Sequence, residues 1–295
     1  MENNNNNELR GSVENAVQSK QKLDINKVLQ EAYETTKKKR TTLAGAIVWS
    51  FFILIAAGIL VAVLAEFSGI EQESKAFTLI TYALQVIIYF PLVGGIHLIA
   101  LRTVIGKTPD INQAFEFLSK PWSLMAVGLI TTVIVNAPTL IGFEHFTVLI
   151  WAAFFNISFV LAATIVATGA ASPLNAVMLS FNLVIKRFLG FLILNIVIFI
   201  VTMLIIVPAV LLGLFAGTNG FMMVLTILAA LAVLYLLFAW VVPTYFFAIA
   251  IYYRDLFQVK AVNENESDDL SGGEKEPVLA EENSADKPDS QSFNA

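Results

Sequence analysis

The chain has 295 residues, of which 57% are hydrophobic, with 23 Phe, a mean hydropathy of +0.73 and a formal net charge of -5. Soluble domains are about half apolar, so this excess excludes a single water-surrounded globule and makes lipid the solvent for most of the chain. The absence of Cys excludes disulfides, thiolate nucleophiles and cysteine metal sites.

Residues 1–23, opening MENNNNNELRGS, are polar and predict a solvated tail. The first apolar run begins near Thr41 and is too long for a signal-peptide core, so it is read as a spanning helix. Six apolar runs follow, over residues 42–65, 76–101, 122–141, 146–168, 188–215 and 221–251. At about 1.5 Å per residue, each is long enough for a hydrocarbon core of about 30 Å. Pro138 and Gly142 interrupt the outer end of the third run, and Ala216-Gly217-Thr218-Asn219-Gly220 supplies the turn between the fifth and sixth. Between Pro121 and Tyr253 the only charged residues are Glu144, Lys186 and Arg187. A charge near the bilayer centre is disfavoured by about 3 kcal/mol on insertion scales, so this sparseness is the mark of serial spans. From Lys260 onward, 10 acidic residues face 3 basic ones, so the net acidity belongs to a tail, and residues 259–295 read as disordered. The expected fold class is all-α: a polytopic membrane helix bundle over residues 24–258, with cytoplasmic amphipathic connecting helices.

Alternating the loops places 17 of the 18 Lys and Arg residues on the side of the N-terminus and leaves Lys75 outside with Glu66, Glu71, Glu73 and Glu144. The positive-inside rule then predicts that both termini are cytoplasmic. The same loops carry an internal echo. Asp24-Ile25-Asn26 recurs as Asp110-Ile111-Asn112 and, more loosely, as Pro173-Leu174-Asn175. Ile25, Val28, Leu29 and Ala32 match Ile111, Ala114, Phe115 and Leu118, and also Leu174, Val177, Met178 and Phe181, in the spacing of an amphipathic helix. Asp24, Asp110 and Ser172 are candidate N-caps, with Gln113 placed to complete a capping box. The reading is a threefold repeat, with units of about 24–106, 110–169 and 172–258, each an interfacial helix followed by two spans. Pro91 precedes Arg102, and Pro243 precedes Arg254, by the same interval; span four has no counterpart Arg.

No Asp, Glu, Lys or Arg falls near the middle of a span, and no phosphate loop or nucleophile motif is present. His97 and His145 fall at opposite ends of their spans and cannot share a metal, so no metal site and no cofactor is expected. The polar groups inside the apolar zone are Gln85, Asn136, Asn156 and Asn195, candidates for a polar cavity or for hydrogen bonds between helices. Arg102, Arg254, Lys186 and Arg187 are candidate contacts for lipid phosphate or another anion at the cytoplasmic interface. Lys37 to Arg40 abut a span, where lipid attraction and topology suffice as reasons, so nucleic acid is not an expected partner.

The run SPLNAVMLSFNLVIKRFLGFLILNIV and the closing PTYFFAIAIYYRDLF resemble bacterial inner-membrane groups. These are the YciC-like proteins and the membrane domain attached to some glycerophosphoryl diester phosphodiesterases. The resemblance covers residues 24–258 in organisation and implies about six spans with cytoplasmic connecting helices in a bacterial cytoplasmic membrane. It brings no catalytic residues, since no phosphodiesterase domain is present. The expected function is that of a non-enzymatic multi-pass protein acting through membrane lipids, a membrane-protein partner or a second copy of itself. The alternative is a transporter or channel for a neutral or amphipathic small molecule.

Overall fold

In lipid the backbone must satisfy its own polar groups, and the long uncharged runs do so by winding into helices. The computed structural model describes residues 7–19, 24–216 and 220–261, and its regular structure there is helical. After a short segment with helix α1 (Val13–Gln18) come α2 (Ile25–Phe67), α3 (Lys75–Val104), α4 (Trp122–Ile141), α5 (His145–Ala167), α6 (Pro173–Lys186), α7 (Phe188–Ala216) and α8 (Gly220–Phe257). Six of them, α2 to α5, α7 and α8, are long and apolar enough to cross a bilayer. The molecule is a multi-pass membrane protein with an all-α bundle. The acidic tail beyond residue 261 and the turn at 217–219 lie outside the described residues.

Three junctions turn the chain from a connecting segment into an odd-numbered span, and each falls on a basic residue with the same non-helical backbone. Lys39 has φ -130° and ψ 18°, Lys120 φ -136° and ψ 64°, and Arg187 φ -127° and ψ 25°. The ends of α3, α5 and α8 also recur. Gly106, Gly169 and Gln258 adopt φ 94°, 69° and 52°. The next amide in each case reaches back five residues, from Lys107 to Arg102 at 2.8 Å, Ala170 to Ile165 at 3.0 Å and Val259 to Arg254 at 3.0 Å. This bond satisfies carbonyls that a helix end otherwise leaves unpaired.

The side carrying these junctions and caps, called here the basic side, holds the packed core. The last turns of α3, α5 and α8 bury Leu98, Ile99, Leu101, Ile165, Ala248, Ile249 and Tyr253 completely. Each of these helix ends packs against the connecting segment that follows in cyclic order: α3 against residues 111–119, α5 against α6, and α8 against the first turns of α2. Polar ties fix all three contacts. Arg102 Nη1 donates to Gln113 at 2.8 Å. Ser180 Oγ donates to the Ser158 carbonyl at 2.9 Å and accepts from Leu161 N–H at 3.2 Å, which satisfies the break in α5 at residues 159–161. Arg254 forms a two-pronged ion pair with Glu31.

Local structure departs from the sequence expectations in four places. Asp24 and Asp110 cap as predicted, accepting from Asn26 N–H at 3.0 Å and Asn112 N–H at 2.7 Å, but Ser172 makes no side-chain cap, and Gln113 serves Arg102 instead of a capping box. Residues 111–119 form two short turns rather than one amphipathic helix. In α6 the predicted stripe is split: Val177 is buried, whereas Leu174 and Met178 face outward, as suits a helix lying against lipid. A proline within a span predicts a kink, yet Pro91 and Pro243 are accommodated differently. Each follows a widened turn in which an amide bonds five residues back, Phe90 to the Gln85 carbonyl and Val242 to that of Leu237, which absorbs the register change near a proline.

The N-terminal tail expectation also differs within residues 7–19, because this segment finds a specific seat. Leu9 is fully buried, Ser12 N–H donates to the Phe257 carbonyl at 2.8 Å, and Tyr253 donates its hydroxyl to the Arg10 carbonyl at 3.0 Å. Gly11 makes the close approach possible: at φ 58°, a Cβ there would fall 2.4 Å from the Phe257 carbonyl oxygen. One apolar anchor, Leu9, and the hydrogen bonds to Phe257 and Tyr253 at the end of α8 offset the low hydrophobicity of the segment.

Candidate functional site

Below the packed ends, toward the far side of the bundle, the helices separate around a cavity of about 230 Å³. Gln85 enters it from the widened turn of α3, Asn136 from α4, Asn156 from α5 and Asn195 from α7, so all four amides singled out in the sequence meet at one place. Tyr89, Phe90, Phe159, Tyr245 and Phe246 supply aromatic wall, and no Asp, Glu, Lys or Arg lines the space. Small residues let the walls come together: a Cβ on Gly128 of α4 would lie 2.6 Å from the Phe90 ring.

The amides do not clamp helix to helix. Asn136, Asn156 and Asn195 each donate Nδ2 to the carbonyl four residues back in their own helix, to Thr132, Ala152 and Phe191, all at 2.8 Å. A carbonyl can only accept, so the NH2 is the end turned to the backbone and Oδ1 is left over. Interhelical hydrogen bonds come from other residues. Trp151 Nε1 donates to the Ile134 carbonyl at 2.8 Å, and Thr36 and Thr244 share their hydroxyls at 3.0 Å. Of the two alternatives for these three asparagines, a polar cavity or hydrogen bonds between helices, the intrahelical bonds favour the first.

Two further lining atoms are buried with no hydrogen-bond partner among the described residues, His97 Nδ1 and Thr132 Oγ1. Their residues are only 4% and 5% exposed. The His97 ring sits edge-on to Phe246, with centroids 4.9 Å apart. A buried polar atom without a partner costs about 1–3 kcal/mol, so native structures rarely keep one without a use. A lone histidine in an apolar span reads as structural from sequence alone. A signal was present: Gln85, Tyr89, Val93 and His97 recur every four residues along one face of α3, the spacing of a lining stripe.

The basic candidates divide. Arg102 is 9% exposed and lies 3.7 Å from Glu116 besides its bond to Gln113. Arg254 is held by Glu31 and by Asp255 at 2.8 Å. Both are ties within the fold rather than open anion contacts. Lys186 Nζ reaches the Val17 carbonyl at 3.4 Å, and Arg187 donates to the Ser19 carbonyl, with its own pKa lowered by partial burial. His145 starts α5 on the far side, away from His97, and the described residues contain no group of three or more His, Cys, Asp or Glu that could hold a metal ion. No family model, curated protein or solved structure matches the chain.

Proposed function

We propose that this is a non-enzymatic membrane protein that binds a neutral, amphipathic small molecule, membrane lipids included, in the cavity between α3, α4, α5 and α7. The observation that carries the reading is the convergence of four uncharged amides from four helices on one space, none of the asparagines being spent on a neighbouring helix. The absence of charge from the lining argues against an ionic solute, because an unpaired charge in a low-dielectric cavity is strongly disfavoured. The packed ends of α3, α5 and α8 close the cavity toward the basic side, which fits a binding site or one state of a carrier better than an open pore.

The reading carries further elements. The matching junctions, helix caps and cyclic packing support three units, 24–106, 110–169 and 172–258, derived from one ancestral hairpin of spans. The lysine and arginine bias supports cytoplasmic termini. A bacterial inner membrane, as in the YciC-like proteins, accords with that bias. The exposed apolar faces on the far side suit lipid, a partner protein or a second copy.

Binding tests the proposal. Protein released from nanodiscs of its own membrane lipids into a native mass spectrometer should retain a neutral lipid or metabolite, and Asn195→Leu with Asn156→Leu should lower retention at least tenfold, about 1.4 kcal/mol. Retention unchanged in the double variant contradicts the site, and retention of a protein partner alone contradicts the small-molecule reading.

A further inference from the structure

The cavity is lined by neutral hydrogen-bonding groups, several of them acceptors. Each of the three asparagines spends one N–H on its own helix and keeps its Oδ1 acceptor and a second N–H. Thr131 spends its hydroxyl proton on the Val127 carbonyl at 2.8 Å, leaving oxygen lone pairs. His97 Nδ1 and Thr132 Oγ1 have no protein partner among the described residues, and an imidazole nitrogen or a hydroxyl oxygen can accept. A ligand that satisfies these acceptors must bring donors, and one that also accepts can meet the amide protons that remain. With no charged residue in the lining, those donors belong to an uncharged group, and the commonest uncharged group with several donors in a small volume is a set of hydroxyls.

The mouth of the cavity says what the rest of the ligand is. Asn156 is exposed, and the neighbouring turns of α5 present Leu149 and Ile150 at 66% and 55% exposure, so the polar wall passes directly into an apolar, lipid-facing surface. A molecule lying across that boundary has a polar head inside and an apolar chain outside. Resting on the cavity reading above, we infer that the ligand is an amphiphile with an uncharged, hydroxyl-bearing head group, its hydroxyls donating to His97 Nδ1, Thr132 Oγ1 and the asparagine Oδ1 atoms. An apolar molecule would leave these acceptors unpaired, and a zwitterionic choline head carries no donor to offer them.

The test uses full-length protein in phosphatidylcholine nanodiscs, titrated with 1-monooleoylglycerol, methyl oleate or free glycerol and followed by native mass spectrometry. Monooleoylglycerol should be retained at least tenfold better than methyl oleate, which has a similar chain and no donor. His97→Phe keeps a ring against Phe246, and Thr132→Val keeps the volume; together they should erase that preference, with methyl oleate retained no worse than by the unsubstituted protein. Equal retention of the two oleoyl compounds, both lost in Asn156→Leu, would leave the cavity standing and overturn the donor rule. Glycerol bound as strongly as monooleoylglycerol would overturn the amphiphile. If none of the three is retained by protein with an unchanged unfolding temperature, the cavity reading fails and the inference with it.

Discussion

On the basic side, Leu98, Ile99, Ile165, Ala248 and Tyr253 are fully buried, and the ends of α3, α5 and α8 are capped and packed against the next connecting segment. On the far side, Leu204, Leu214, Phe215 and Phe221 are more than two-thirds exposed, on the long apolar helices α7 and α8. The contrast follows from the two solvents. Near the headgroups the chain has polar residues to spend, so Arg102, Arg254, Ser180 and Tyr253 can fix geometry one bond at a time. Deep in lipid there is no hydrophobic drive to press apolar helices together, and they stay apart unless small residues or hydrogen bonds hold them. The cavity lies at the seam, where one regime gives way to the other.

That contrast can be broken most severely at Gly95. A Cβ there would lie 2.0 Å from the Ala114 carbonyl oxygen, a collision with backbone that no rotamer relieves. Gly95→Ala should cost about 3 kcal/mol by overpacking, read as a lower denaturation midpoint in mixed micelles. Next in size is Arg254→Ala, which leaves Glu31 and Asp255 without their cation on a partly buried surface. The loss should be about 2 kcal/mol, and Glu31→Gln in the same background should recover part of it. Tyr253→Phe removes hydroxyl contacts to Thr168 at 2.8 Å and to the Arg10 carbonyl. About 1 kcal/mol should be lost, and the segment 7–19 should become open to protease before the bundle unfolds. Gly58→Ala, in the far half of α2 with nothing within 4 Å of its Cβ, should move stability by less than about 0.5 kcal/mol. A Gly58→Ala penalty as large as that of Gly95→Ala would dissolve the distinction between the two halves.

Much of this architecture is legible in the residues. The six spans follow from hydropathy because lipid leaves the backbone few alternatives, and Asp24 and Asp110 are readable as caps because their short carboxylates reach the second amide of a helix. The meeting of Gln85, Asn136, Asn156 and Asn195 could be suspected from their neutrality and depth alone. Other features have no local sign. Whether an asparagine turns its NH2 to its own carbonyl or to a neighbouring helix depends on how closely that neighbour approaches, which is a property of the assembled bundle. The seat of residues 7–19 is likewise invisible in a polar segment, since it depends on helix ends more than 90 residues away along the chain, Lys107 and Phe257 among them. His97 is legible only in part, through its four-residue spacing from Gln85, Tyr89 and Val93. Its role rests on the orphaned Nδ1, and burial without a partner is written nowhere in the sequence.

The central claim is that a closed basic side borders an open, polar-lined cavity, and the absence of Cys makes it directly measurable. Single-cysteine variants Asn156→Cys, at the mouth, and Ile165→Cys, fully buried in the packed basic side, would be reacted with a small neutral thiol reagent in proteoliposomes. The account predicts that position 156 reacts at least tenfold faster than position 165. Equal rates, or faster reaction at 165, would contradict it.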